Sequence, residues 1–368
     1  MRRLAYLNSG KTEAQMDRKD KALFDGWLQF LEDIPKENAN GEKQEHERIN
    51  IQIPISTGVT EGEHKEEALR KFRSLDGYWL GSPDRDAPTV ILFTGNNGLF
   101  ADSAEFVRYY YPYRFNILMI TPGGYPGSTP EIPTTELTSY QDAQAALEYA
   151  RKRGGNNKII AHGFSMGATS AIHAASIDPD VDLIIDRPFT TIEDVAVNIG
   201  LHITRGRLEK VIQSIVKRVL PYVFPIGETD GIHTTNGLNN LQKITKVKGS
   251  CLFLYATDDE MMTMRPKHPK KRTALDKTNF AHLLCDQYEA SFKEAQTFME
   301  KYDPYNSFFS LYSSGEVPPR RIFDIIPMRG THGATFYNYR AMDLYLFELG
   351  HINGVHISQR MFNYAKDP

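Results

Sequence analysis

Residues 158–175 read KIIAHGFSMGATSAIHAA, and the fold turns on how they are read. Lys158, Ile159, Ile160 and Ala161 make a short apolar run of strand type, while Ala168 to Ala175 is small and apolar with helical spacing. Gly163-Phe164-Ser165-Met166-Gly167 therefore falls at a strand-to-helix corner. So tight a corner excludes side chains at its flanks, which calls for Gly163 and Gly167, and it lifts the Ser165 hydroxyl into the open at a helix N-terminus. That helix end favours negative charge. The pattern is that of a nucleophile elbow.

Outward from the elbow, strand-like runs recur at 89–93, 115–120, 158–161, 181–185, 251–255 and 322–326, separated by helical segments. This alternation predicts an α/β protein with a mostly parallel sheet and helices on both faces. Before it, residues 49–55 alternate as a strand and 77–81 look like another, an antiparallel start. Residues 1–48 read as a helical extension in which Leu23, Phe24, Trp27, Leu28, Phe30 and Leu31 recur at helical spacing and pack on the main domain; residues 36–48 read as a polar linker.

Composition narrows the classes. The chain has 368 residues, 40% of them hydrophobic, and a formal net charge of −3, so its size allows a large core and its charge does not point to nucleic acid. Its two cysteines, Cys251 and Cys285, have no metal-type spacing, and no H-E-x-x-H or C-x-x-C pair is present. No metal or organic cofactor is expected. MRRLAYLNSG turns polar before any stretch suited to a signal peptide, and no window approaches a membrane span, so a cytoplasmic location is expected.

Serine at its free pKa is a poor nucleophile and needs a base, held by a third group. In sheets of this kind, such partners lie at the carboxyl ends of the strands. Past the run 251–255 comes Ala256-Thr257-Asp258-Asp259-Glu260, and past 322–326 comes Met328-Arg329-Gly330-Thr331-His332-Gly333. An acid after one late strand and a histidine in a Gly-flanked turn after the next supply both partners. His162 and His173, beside the elbow and on the helix after it, read as packing residues. An oxyanion hole needs two backbone N–H groups. Met166 follows the nucleophile and supplies one. The loop Thr94-Gly95-Asn96-Asn97-Gly98 supplies the other through Asn96, with Asn97 as the alternative.

DGYWLGS, FTGNNG, TPGGYPGS and AHGFSMGA together resemble a serine hydrolase of the α/β-hydrolase superfamily over roughly residues 76–350. Within it the chain is most similar to the Bem46-like group, which includes depalmitoylating acyl-protein thioesterases; DRPFTTIED lies where those proteins carry a similar Pro-containing segment. The resemblance implies the α/β-hydrolase fold, with a helical cap between strands 6 and 7. It further implies Ser165 as nucleophile, Asp259 as acid, His332 as base and the Asn96 and Met166 amides as oxyanion donors. Asp258 is adjacent to the aligned acid and remains an alternative. The family usually has His-Gly where this chain has Thr94-Gly95, and Gly where it has Ala256.

The implied boundaries are an extension over 1–48, a hydrolase domain over 49–356 with a cap at about 188–249 and a second insertion at about 261–321, and a tail over 357–368. The implied activity is cleavage of a carboxylic ester or thioester of a lipid or an acylated protein through an acyl-enzyme. Acyl transfer, peptidase chemistry or a non-catalytic binding role are the alternatives. Within the cap, Leu208, Val211, Ile212, Ile215, Val216, Val219 and Leu220 form one apolar helix face, with Arg207, Lys210, Lys217 and Arg218 at polar positions. This reads first as a helix packed on the domain; the same pattern suits a lid facing acyl chains or peripheral contact with an anionic membrane. The basic run 265–272 suits an anionic headgroup, a coenzyme, a phosphorylated partner or a solvated loop. The charged N-terminal extension and inserted loops also resemble those of bacterial proteins delivered into host cells without a classical signal.

Overall fold

The computed structural model describes residues 18–36, 44–54, 72–256 (apart from 97, 130–133, 156, 205–207, 224–225, 230 and 236) and 323–328, with the single positions 16, 41 and 346. Helix α1 (Arg18–Glu32) comes first. Its Phe24 and Leu31 are buried and Trp27, Leu28 and Phe30 lie against the core, so the extension packs on the domain as its spacing predicts. Leu23 is exposed.

Strands β1 (His46–Pro54) and β2 (Phe72–Leu80) pair antiparallel along their whole lengths. Both exceed the lengths read from sequence. The reason is charge: Arg73 and Asp76 interrupt the apolar pattern of β2, yet both are buried because Arg73 pairs with Asp142 and Asp76 pairs with Arg48 at 2.7 Å. The Arg73–Asp142 pair is buried on both sides, and breaking such a pair is strongly destabilising, by about 3–5 kcal/mol.

There follow β3 (Thr89–Phe93), α2 (Ala104–Tyr110), β4 (Asn116–Ile120), α3 (Glu136–Gly154), β5 (Ile159–Phe164), α4 (Gly167–Ile177) and β6 (Val181–Asp186). Then come α5 (Ile192–Ile203), α6 (Glu209–Val223), a short hairpin of β7 (Glu228–Thr229) and β8 (Ile232–His233), α7 (Asn240–Ile244), β9 (Cys251–Ala256) and β10 (Phe323–Met328). All six predicted core strands form. Eight strands make one sheet in the order β1-β2-β4-β3-β5-β6-β9-β10, and only β2 runs against its neighbours β1 and β4. The pairs from β4 through β10 are parallel. This order, with its second strand reversed, is the α/β-hydrolase fold.

Alternation along the strands splits the core in two. Val90, Leu92, Ile160 and Ile184 face α1, α2 and α5, whereas Ile91, Phe93, Ala161 and Ile185 face α3 and α4. Buried on both sides, such strands read as continuous apolar runs, which is why they were legible. Each fully buried Ile, Leu or Val contributes about 1.5–3 kcal/mol. The segment between β6 and β9 starts on the first face, where Ile192, Val195 and Leu220 pack, and returns to the second, where Ile244 and Val247 pack.

Candidate active site

The carboxyl ends of the central strands are in register: Phe93 lies opposite Gly163, Phe164 opposite Asp186, and Asp186 opposite Leu254. Every loop that leaves these strands therefore starts from one edge. Ser165 is the first residue past β5 and has φ +52°. A non-glycine residue in the left-handed region costs about 1–3 kcal/mol and persists only where its surroundings enforce it. Here they do. The Ser165 N–H donates to the Asp186 carbonyl at 2.8 Å, and the Ser165 carbonyl accepts from Ala168 N–H at 3.1 Å as α4 begins.

The flanking glycines are required by contact. A Cβ on Gly163 would stand 2.6 Å from the Ala168 backbone and would also strike the Gly167 carbonyl. One on Gly167 would run into the carbonyl oxygens of Phe93 and Thr94. The corner thus closes because β5, α4 and the end of β3 approach with no room for a methyl group.

The loop after β3 lies against the elbow. A Cβ at Gly95 would stand 2.8 Å from the Phe164 ring and 3.4 Å from Ser165 Cβ. The loop is held in a tight turn by Gly98 N–H to the Gly95 carbonyl at 3.1 Å and by the Thr94 hydroxyl donating to the Gly98 carbonyl at 3.0 Å. Asn96 is fixed from outside, since Tyr125 in the loop after β4 donates its hydroxyl to Asn96 Oδ1 at 3.0 Å. Ser165, Met166 and the 94–98 turn are thus gathered at one point. Asn97, Asp258, Asp259 and His332 lie outside the described residues, as does the basic run 265–272.

Sequence reading missed a buried charge pair at this edge. Arg187, φ +50°, turns back on the residue before it and clamps both Asp186 oxygens, at 2.7 and 2.9 Å, with both side chains almost wholly buried. Its guanidinium also sits 4.6 Å from the Phe164 ring centroid, a cation–π contact. The signal was an Asp-Arg doublet ending an apolar strand. Asp186 and Arg187 hold Phe164 and the Ser165 amide, so they support the elbow from β6.

The two histidines set aside as packing residues are buried and neutral. Tyr110 bonds His162 Nδ1 at 2.9 Å, and burial, helped by the Arg187 charge, lowers the His162 pKa to about 3. His173 stacks on Tyr140 at 4.3 Å and meets Lys243 Nζ at 3.1 Å; burial, then the charges of Lys243 and Lys246, lower its pKa to about 3. Tyr109, Tyr110 and Tyr113 are core residues. Among the described residues, no group of three or more His, Cys, Asp or Glu side chains is placed to hold a metal ion, and no helix is long and apolar enough to cross a membrane.

No protein-family model matches the chain, and a search of curated proteins gives no match. Solved structures do. The wild-type structure of AbyA5 superposes with a TM-score of 0.50 at 13% identity, covering 94% of this chain and 76% of that one. The esterase Pf2001 of Pyrococcus furiosus gives 0.46 at 12% identity over 82% of this chain and 87% of its own. An α/β-hydrolase of Vibrio vulnificus gives 0.45 at 15% identity over 93% and 87%. At these identities the likeness is one of fold.

Proposed function

We propose that this protein is a serine hydrolase that cleaves a carboxylic ester or thioester, of lipid or acyl-protein type, by way of an acyl-enzyme. The observation that carries the reading is Ser165 itself: a non-glycine residue forced to φ +52° at the carboxyl end of a central strand, with the 94–98 turn packed against its Cβ. Positive φ alone does not mark function, since Arg187 shares it at φ +50°; what sets Ser165 apart is a hydroxyl at a strand-to-helix corner whose flanking glycines admit no side chain.

In this mechanism His332 takes the Ser165 proton as the hydroxyl attacks the carbonyl, and Asp259 orients the imidazole. The Met166 and Asn96 amides receive the developing oxyanion, each contributing about 3 kcal/mol. His332 then protonates the departing alcohol or thiol, and water releases the acyl group. Sequence distance supports the assignment. β9 ends three residues before Asp259 and β10 ends four before His332. With strands about 4.8 Å apart, β9 lies about 10 Å from β5, which three extended residues span.

A fluorophosphonate probe tests the reading. The wild-type chain is expected to label, Ser165→Ala to abolish labelling, and Asp259→Asn or His332→Ala to cut it by about 10⁴-fold. Undiminished labelling of folded Ser165→Ala would end the proposal; loss with Asp258→Asn alone would move the acid by one residue. Short-chain esters, long-chain thioesters and peptides, compared on the active chain, then assign the leaving group.

A further inference from the structure

Helix α6 packs with only half of its apolar face. Val216 and Leu220 are buried and Ile212 lies against Val197 and Val216, yet Leu208, Val211 and Ile215 are 63%, 52% and 53% exposed. Tyr222 follows at 87%, and Ile226, just past the helix end, at 70%. These five are most of the eight large hydrophobic side chains exposed among the described residues, drawn into one stretch of nineteen positions. Val211, Ile215 and Tyr222 are spaced by four and seven residues along α6, which puts them on one stripe, and Leu208, at φ +62°, stands immediately before the helix. Arg218, exposed, lies one turn from both Ile215 and Tyr222; exposed Lys210 and Lys217 occupy the next stripe around. The outward surface of α6 is thus an aliphatic ridge ending in tyrosine and bordered by cations.

We propose that this ridge docks on an anionic lipid bilayer. The charges complement such a surface, and a basic amphipathic helix with its apolar stripe outward is the form that lies in a bilayer's headgroup layer. Tyr222 supplies the aromatic side chain favoured at that depth. A folded protein partner fits less well: protein interfaces are depleted in lysine, and Lys210 and Lys217 border this ridge. The proposal is independent of the hydrolase reading, since no residue in it touches Ser165 chemistry.

The test is sedimentation of the full chain with phosphatidylcholine vesicles and with phosphatidylcholine–phosphatidylserine vesicles, in low and raised salt. Binding is expected only to the serine-lipid vesicles and is expected to weaken with salt. Ile215→Ser with Tyr222→Ser should lower it at least about tenfold, and Lys210→Ala with Arg218→Ala should lower it by about the same factor. Fluorophosphonate labelling and thermal unfolding, unchanged in both variants, show that they remain folded. Wild-type protein left in the supernatant, or variants that sediment as well as wild type, would overturn the proposal. So would a wild-type dimer that Ile215→Ser dissolves, which would make the ridge an interface between copies.

Discussion

Two buried polar clusters lie on opposite faces of the sheet, and they are built in opposite ways. On the face of α2, Asp186, Arg187, Phe164 and His162 come from two adjacent strands, and the ion pair joins consecutive residues. On the face of α3 and α4, Glu136, Tyr140, His173 and Lys243 come from three helices and reach the 234–239 turn. The Glu136 carboxylate accepts from the Tyr140 hydroxyl at 2.9 Å, from the Thr235 amide and hydroxyl, and from the Leu238 amide at 3.3 Å. Lys243 Nζ donates to the His233 carbonyl at 3.0 Å and sits 3.6 Å from the Tyr140 ring centroid. The first cluster shapes a strained residue locally. The second ties a segment about a hundred residues distant to the first turn of α3. One serves geometry at the nucleophile; the other serves attachment of the β6–β9 segment.

That difference is breakable. The largest expected effect is at the elbow itself: Gly167→Ala sets a methyl group against the Phe93 and Thr94 carbonyls, which are backbone and cannot step aside. A cost of about 3 kcal/mol or more is expected, the upper end for overpacking. Denaturant unfolding measures it, and probe labelling should vanish even in the folded fraction. Retained labelling with wild-type stability would show that the corner is looser than its contacts imply.

Glu136→Gln should give the converse result. The amide presents donors where Thr235 and Leu238 also donate, leaving a buried N–H unpaired at about 1–3 kcal/mol. Stability falls, while labelling of the folded fraction stays near wild type. A variant that unfolds at the wild-type midpoint would remove Glu136 as the anchor; one that folds normally but no longer labels would join the two clusters into one functional unit.

The two clusters also differ in how far the sequence disclosed them. The elbow was readable because each of its demands is local: two glycines, one serine, an apolar strand before and small residues after. β3, β4, β5 and β6 were readable because burial on both faces makes them nearly continuous apolar runs. β2 was half hidden, since Arg73 and Asp76 look like solvent residues until Asp142 and Arg48 are placed beside them. Lys243 and Glu136 were silent for the same reason, as their partners are separated by 70 and 99 positions. The outward ridge of α6 was half legible. Periodicity showed one broad apolar face, but which part of it is covered depends on Val197, Gly200 and Ile192, contributed by another helix.

The smallest effect expected is a slope, and it isolates the second cluster. Burial, partly opposed by the Glu136 charge, lowers the Lys243 pKa to about 8 from 10.5. The unfolded chain therefore binds a proton that the folded chain has released between those values, and stability linked to Lys243 rises with pH across that window. Below about pH 8 both states hold the proton and the full cost of burying the ammonium is present; above about 10.5 neither does. Lys243→Met cannot titrate. Stability of the wild type relative to this variant should be flat near neutrality and should climb by an amount on the order of 1–3 kcal/mol from about pH 8 to 10.5. Urea midpoints for both proteins over that range check it, since every other titration cancels in the difference. Parallel curves would mean that the ammonium keeps its solvation beside His173 and Tyr140, and that the attachment of the β6–β9 segment rests on Glu136 alone.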